Sequence, residues 1–163
     1  MSEETAGRIF GPVPSRRLGR SLGINNIPAK HCSYACVYCQ VGRTTHPLTT
    51  RRSFVAPGKI VQAVADRLGQ LREQGKRVDY LTFVPDGEPT LDVQLGEAIE
   101  LLRPQGVPVA VITNGSLLGR EEVRRELALA DWVSVKVDSV DEAVWRRIDR
   151  PHPSLRLDDI LHG

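Results

Sequence analysis

Three cysteines, Cys32, Cys36 and Cys39, make up the whole cysteine content of this 163-residue sequence, and all fall in His31-Cys32-Ser33-Tyr34-Ala35-Cys36-Val37-Tyr38-Cys39. An odd number of thiols packed this closely does not make a disulfide framework; it points to metal binding or catalysis. Soft thiolate ligands at such spacing take a metal once the chain folds around it. A tetrahedral zinc site needs four ligands, and His46 is the nearby candidate for a fourth, because His31 abuts Cys32 and is badly placed to turn inward. A cubane iron–sulfur cluster has four irons, each usually held by a thiolate, so three cysteines leave one iron open to a small molecule.

The other residues able to do chemistry come in short polar interruptions of apolar segments: Pro85-Asp86-Gly87-Glu88-Pro89, Thr113-Asn114-Gly115, Lys136 and Asp138. The elements that must position them are readable from periodicity. A Gly-interrupted strand covers 18–26, followed by a long irregular loop over 27–54 that carries the cysteines. Pro57 opens a helix whose Ile60, Val61, Val64, Leu68 and Leu71 share one face, with Gly75 at its end. Strands follow at 78–84, 107–113 and 132–137, and helices at 90–103, 120–130 and 141–148. The run over 107–113 is nearly continuous in apolar residues, as for a strand covered on both faces.

Strand–helix alternation of this regularity predicts an α/β domain with a parallel sheet and helical crossovers. In such sheets ligands bind at the carboxyl ends of the strands, which is where each polar interruption falls. Each also has a plain structural reading: Pro-Asp-Gly and Asn-Gly form turns anywhere, and Asp138 can cap the next helix.

Composition fits one globular unit over 1–163 with a polar tail at about 1–9, and no apolar run approaches membrane-spanning length. The start is polar and acidic where a secretory signal needs a basic and then an apolar stretch, so the expected location is cytoplasmic. Net charge is +2 overall but +6 over residues 1–52, where Arg8, Arg16, Arg17, Arg20, Lys30, Arg43, Arg51 and Arg52 face only Glu3 and Glu4. That asymmetry suits an anionic partner such as a phosphate, a carboxylate or RNA, and equally a solvated arginine-rich surface.

The spacing Cys-x3-Cys-x2-Cys, with Tyr38 before the last cysteine, resembles the signature of radical S-adenosylmethionine (SAM) enzymes. The resemblance implies a [4Fe–4S] cluster held by Cys32, Cys36 and Cys39, with SAM on the unique iron and Tyr38 near its adenine. It implies that the segment Asp86, Gly87, Glu88 and Pro89 meets the methionyl amine of SAM, although Asp86 replaces the first glycine of the family pattern. Thr113 and Asn114 correspond to a ribose-contacting strand end, and Lys136 and Asp138 are candidates for the SAM carboxylate or the substrate. Gly11-Pro12-Val13-Pro14-Ser15-Arg16-Arg17-Leu18-Gly19 and Arg150-Pro151-His152-Pro153 are similar to a branch related to wyosine tRNA-base synthases.

In that family a reduced cluster cleaves SAM to a 5′-deoxyadenosyl radical, which takes hydrogen from the substrate, here a tRNA base by analogy. The implied partners are an electron donor such as flavodoxin or ferredoxin and an anionic substrate met by the basic N-terminal segment. No cysteine remains for the second cluster of archaeal wyosine-forming enzymes. The fold implied is an incomplete (β/α) TIM-like partial barrel with about four βα units, its C-terminus truncated and its last strand an apolar edge open to self-association. Alternatives are a glycyl-radical activase, a Cys3His zinc module using His46, and an inactive fragment.

Overall fold

A computed structural model describes residues 7–44 and 47–163; the zinc reading therefore rests on a histidine, His46, outside the described residues. Five strands form one sheet in the order β1-β2-β3-β4-β5, with β1 Arg8–Ser15, β2 Gly19–Asn25, β3 Tyr80–Phe83, β4 Val109–Thr113 and β5 Trp132–Val135. Strands β2 to β5 are parallel, whereas β1 runs antiparallel to β2.

The antiparallel edge corrects the expected all-parallel sheet of four strands. Pro12 and Pro14 disguise β1 in the sequence, yet an edge strand is the position that tolerates proline, because one side of its backbone makes no ladder bonds. The β1–β2 register shifts between Phe10 and Val13, and Gly19 closes the hairpin at φ +61°. Gly23 leaves room for the ring of Phe10, its partner in register: a Cβ there would lie 2.2 Å from Cζ of Phe10.

Helix α1 (Pro57–Glu73) buries Ile60, Val64, Leu68 and Leu71, the face expected from periodicity. These residues pack with Leu22, Ile24, Leu81, Phe83, Val109 and Val111 of the sheet and with apolar residues of α2 (Leu95–Leu102) and α3 (Glu121–Leu127). The helix expected over 90–103 is shorter. Pro89–Leu91 is a separate 3-10 turn, and α2 starts only after Asp92, which is extended and accepts the Gln94 N–H at 3.0 Å.

The expectation of strands covered on both faces also needs correction. Helices cover one face; on the other, Ser21 and Thr82 share a 2.6 Å hydroxyl contact and Ile112 is 37% exposed. Phe10, Ser21, Gly23, Val41, Thr82 and Ile112 line a cavity of about 390 Å³ there. Strand β5 has a neighbour on one side only among the described residues, and Val137 beyond it is exposed. Helices α4 (Glu142–Asp149) and α5 (Leu157–His162) follow it. Among the described residues no helix is long and apolar enough to cross a membrane.

Candidate functional site

The parallel register brings the carboxyl ends of β2 to β5 to one rim, and the cysteine loop lies across it. Two supports hold that loop. From the β3 side, Glu88 N–H donates to the His31 carbonyl at 3.0 Å, and Lys30 N–H donates to the Asp86 carbonyl at 2.8 Å. Gly87 permits this contact, since a Cβ there would lie 2.1 Å from the same His31 oxygen. Its backbone is thus pressed against the cysteine loop.

From the other side come α4 and the residues after it. Val37 N–H reaches the Ile148 carbonyl at 2.9 Å, Ala35 N–H the Asp149 carbonyl at 3.0 Å, and His152 N–H the Ser33 carbonyl at 2.8 Å. Tyr34 is buried edge-on against Trp145, whose indole N–H donates to the Tyr34 hydroxyl at 3.1 Å. A 2.6 Å hydroxyl contact joins Ser33 to Ser116 past β4.

Cys32 and Cys36 are half-buried and Cys39 is exposed. Asn114 Nδ2 lies 3.6 Å from Cys32 Sγ and 3.0 Å from Ser33 Oγ. Cys36 donates to Asp149 Oδ1 at 3.3 Å, with Lys136 Nζ 3.5 Å from its sulfur. Burial pushes the Cys32 thiol up to about 12, and it pushes Cys36 up to about 11 against the opposing pull of Lys136. Without a metal both are protonated thiols, and a metal would release those protons on binding.

Among the described residues, no three His, Cys, Asp or Glu side chains gather around one point as the ligands of a single metal ion would. The donor set itself is three sulfurs on one anchored loop, two of them half-buried and neutral. That set suits a cluster, which presents separate irons to separate thiolates, better than one tetrahedral ion.

Glu88 turns its carboxylate into the protein. It is fully buried, and its Oε1 accepts the Thr90 N–H at 3.1 Å, the Thr90 hydroxyl at 2.6 Å and the Thr113 hydroxyl at 2.6 Å. Its Oε2 accepts the Asn114 N–H at 2.8 Å. Burial raises its pKa and these bonds oppose the rise. Glu88 and Thr113 therefore tie two strand ends together beneath the rim. The segment around Asp86 is tied to β2, since Asn25 Oδ1 accepts the Asp86 N–H and Asn25 Nδ2 donates to Asp86 Oδ2, both at 3.3 Å. Pro89 is buried.

Lys136, just past β5, is surrounded by acceptors: Asp149 Oδ1 at 2.6 Å, the Tyr38 hydroxyl at 2.6 Å and Asp138 Oδ2 at 2.8 Å. Burial works to lower its pKa, but the three hydrogen bonds prevail and hold the ammonium well above the usual lysine range. Asp138 pairs with Lys136 and Tyr38 and does not cap the next helix; Asp141 does, accepting the Val144 N–H at 2.8 Å. Half-exposed Tyr38 stands at the rim beside this pair. Asp149, buried at the end of α4, carried no signal in the sequence, because only the fold brings it to Cys36.

The basic N-terminal segment divides. Arg16, Arg17 and Arg20 lie at the β1–β2 turn, at the end of β2 remote from the cysteines. Arg51 is buried, donating to the carbonyls of Thr90 at 2.7 Å and Asp92 at 2.9 Å and to Glu126. Arg8, which pairs in register with Asn25, and Lys30 and Arg43 in the loop remain near the rim.

Residues 26–161 match the radical SAM superfamily. The chain is 58% identical over 154 residues to a UPF0026 protein of Methanocaldococcus jannaschii, covering 94% of this chain and 47% of that one. It is 30% identical over 112 residues to an S-adenosylmethionine-dependent nucleotide dehydratase of a Thermoplasmatales archaeon, covering 69% and 36% respectively. A solved structure of TYW1 with a lysine–pyruvate adduct bound superposes with a TM-score of 0.60 at 20% identity, over 88% of this chain and 50% of that one, and so shares the fold. The chain thus spans about half the length of the UPF0026 relative and of the TYW1 chain, and 36% of the dehydratase.

Proposed function

The chain belongs to the radical SAM superfamily, and from that premise we propose that it is a radical SAM enzyme whose Cys32, Cys36 and Cys39 hold a [4Fe–4S] cluster. The observation that carries this reading is the three-thiol loop pinned across the carboxyl ends of four parallel strands. When bound, such a cluster supplies the electron that cleaves SAM to methionine and a 5′-deoxyadenosyl radical, which abstracts hydrogen from a substrate.

The protein's own part is binding, orientation and exclusion of water. Glu88 and Thr113 fix the heights of the β3 and β4 ends, so that the amide of Asn114 is presented beside Cys32. Asn114 is then the side chain best placed to meet a ribose hydroxyl, and the ring of Tyr38 offers an exposed face beside the last cysteine. The 390 Å³ cavity on the open face of the sheet reaches Val41 in the cysteine loop, which makes it the reading's substrate chamber. A nucleotide or a tRNA base is the substrate class we favour, supported by the similarity to an S-adenosylmethionine-dependent nucleotide dehydratase. Arg8, Lys30 and Arg43 suit its phosphates. A flavodoxin or ferredoxin is the proposed electron donor.

The test is anaerobic reconstitution with iron and sulfide, then incubation with SAM and dithionite. The wild-type chain is expected to yield 5′-deoxyadenosine, and Cys32→Ala, Cys36→Ala and Cys39→Ala none. A loaded wild-type protein that leaves SAM intact overturns it.

A further inference from the structure

The surroundings of Cys36 differ from those of the other two thiols. Cys32 faces a neutral amide and Cys39 faces solvent, whereas Cys36 lies beside an ammonium and a buried carboxylate. Lys136 has three N–H bonds and four acceptors within 3.5 Å: Asp138, Asp149, the Tyr38 hydroxyl and the Cys36 sulfur. As long as Cys36 keeps its proton, the sulfur is the weakest acceptor, and it stands at the longest distance, 3.5 Å. Once Cys36 becomes a metal-bound thiolate, two things change. Its own hydrogen bond to Asp149 is lost, leaving sulfur and carboxylate 3.3 Å apart with like charge. The sulfur also becomes a charged acceptor, and it outcompetes the neutral phenol of Tyr38 for an N–H.

We propose that Lys136 donates an N–H···S hydrogen bond to Cys36 when that thiol serves as a cluster ligand, and that Asp149 is the positioning residue that holds Lys136 there. The proposal rests on the cluster reading above and gives Lys136 a task other than meeting the SAM carboxylate. Both carboxylate partners of Lys136 come from the second half of the chain, Asp138 after β5 and Asp149 at the end of α4. The ammonium is additionally stacked over the rings of Tyr34 at 5.4 Å and Tyr38 at 5.1 Å. Two carboxylates and two rings thus hold it beside the Cys36 sulfur. A donor at a ligand sulfur stabilises the reduced cluster, which carries one more negative charge, and so raises the reduction potential.

The experiment is potentiometric titration with dithionite, followed by electron paramagnetic resonance, on anaerobically reconstituted wild type, Lys136→Met, Lys136→Arg and Arg72→Met. Lys136→Met is expected to lower the reduced-to-oxidised ratio at a fixed potential about tenfold, equal to about 59 mV for one electron. Lys136→Arg, which keeps charge and donor, restores most of it, and removal of Arg72, exposed in the last turn of α1, changes it less than threefold. In the reduced wild type an exchangeable proton couples to the cluster in electron–nuclear double resonance; the coupling disappears in Lys136→Met and in Asp149→Ala. Should Lys136→Met fail to load, Lys136→Gln is titrated instead, with the same direction of shift expected.

A loaded wild type with an unchanged ratio and coupling in the lysine variants overturns the proposal and leaves the cluster reading standing. A wild type that takes up no iron overturns both.

Discussion

The backbone N–H of Asn114, the first residue past β4, donates to the Glu88 carboxylate beyond β3 at 2.8 Å, and Glu88 is fully buried. This bond sets two neighbouring strand ends at one level, with the cysteine loop resting on the result. Replacing Glu88 by Ala leaves the N–H groups of Thr90 and Asn114 without their acceptor, at about 1–3 kcal/mol for each buried donor. We expect a clear fall in the melting temperature of metal-free Glu88→Ala, at about 2–4 °C per kcal/mol for a domain of this size. Glu88→Gln, which keeps one carbonyl oxygen, loses less. Equal melting of Glu88→Ala and wild type would remove Glu88 from this role.

Gly87 is the second test of how the loop is seated. A Cβ at this position comes within 2.1 Å of the His31 carbonyl oxygen, a backbone atom that moves only if the cysteine loop moves with it. Gly87→Ala is expected to cost about 1–3 kcal/mol by overpacking. Iron uptake should fall with it, because the displaced segment contains Cys32. Elemental analysis alongside thermal unfolding checks both, and full iron uptake by Gly87→Ala would show that the loop is not seated through this contact.

Tyr34 is the corresponding test on the α4 side. Tyr34→Phe leaves the buried Trp145 indole N–H without an acceptor and should cost about 1–3 kcal/mol. The loss is read as a reduced urea midpoint with an unchanged denaturant slope. An unaltered midpoint would mean that α4 does not hold the loop through this pair.

Asp92 supplies a pH dependence. Burial pushes it up to about 6, against the hydrogen bonds from the Gln94 N–H and Asn26 and the charge of Arg51. The folded state therefore holds this proton more tightly than the unfolded chain does, and the contribution to stability is complete below about pH 4 and is lost as pH rises to 6. Relative to Asp92→Asn, the wild type should lose stability over that window with a slope of up to about 1.4 kcal/mol per pH unit and run parallel above it. Urea unfolding of both proteins between pH 4 and 7 is the measurement, and parallel curves throughout would contradict the assignment.

What the sequence revealed, and what it concealed, follows physical lines. The α1 face was legible because Ile60, Val64, Leu68 and Leu71 repeat at the helical period, and β3, β4 and β5 because they are short apolar runs between turn signals. The cysteine loop was legible because the spacing of its three thiols is local. Strand β1 was not, since Pro12 and Pro14 break any alternation and an edge strand can afford them. The inward turn of Glu88 was concealed as well: the motif gives its position, but only the partners Thr113 and Asn114, from another strand, show where the carboxylate points. Asp149 is the extreme case, a lone carboxylate 113 residues from Cys36 that becomes its neighbour only through tertiary structure.

The most direct measurement is the electron paramagnetic resonance spectrum of the reconstituted, dithionite-reduced protein recorded with and without SAM. Three cysteines that leave one iron free of protein ligands predict a [4Fe–4S] signal whose g-values shift when SAM is added. A cluster signal indifferent to SAM, or a protein that takes up zinc and no iron, would contradict the account.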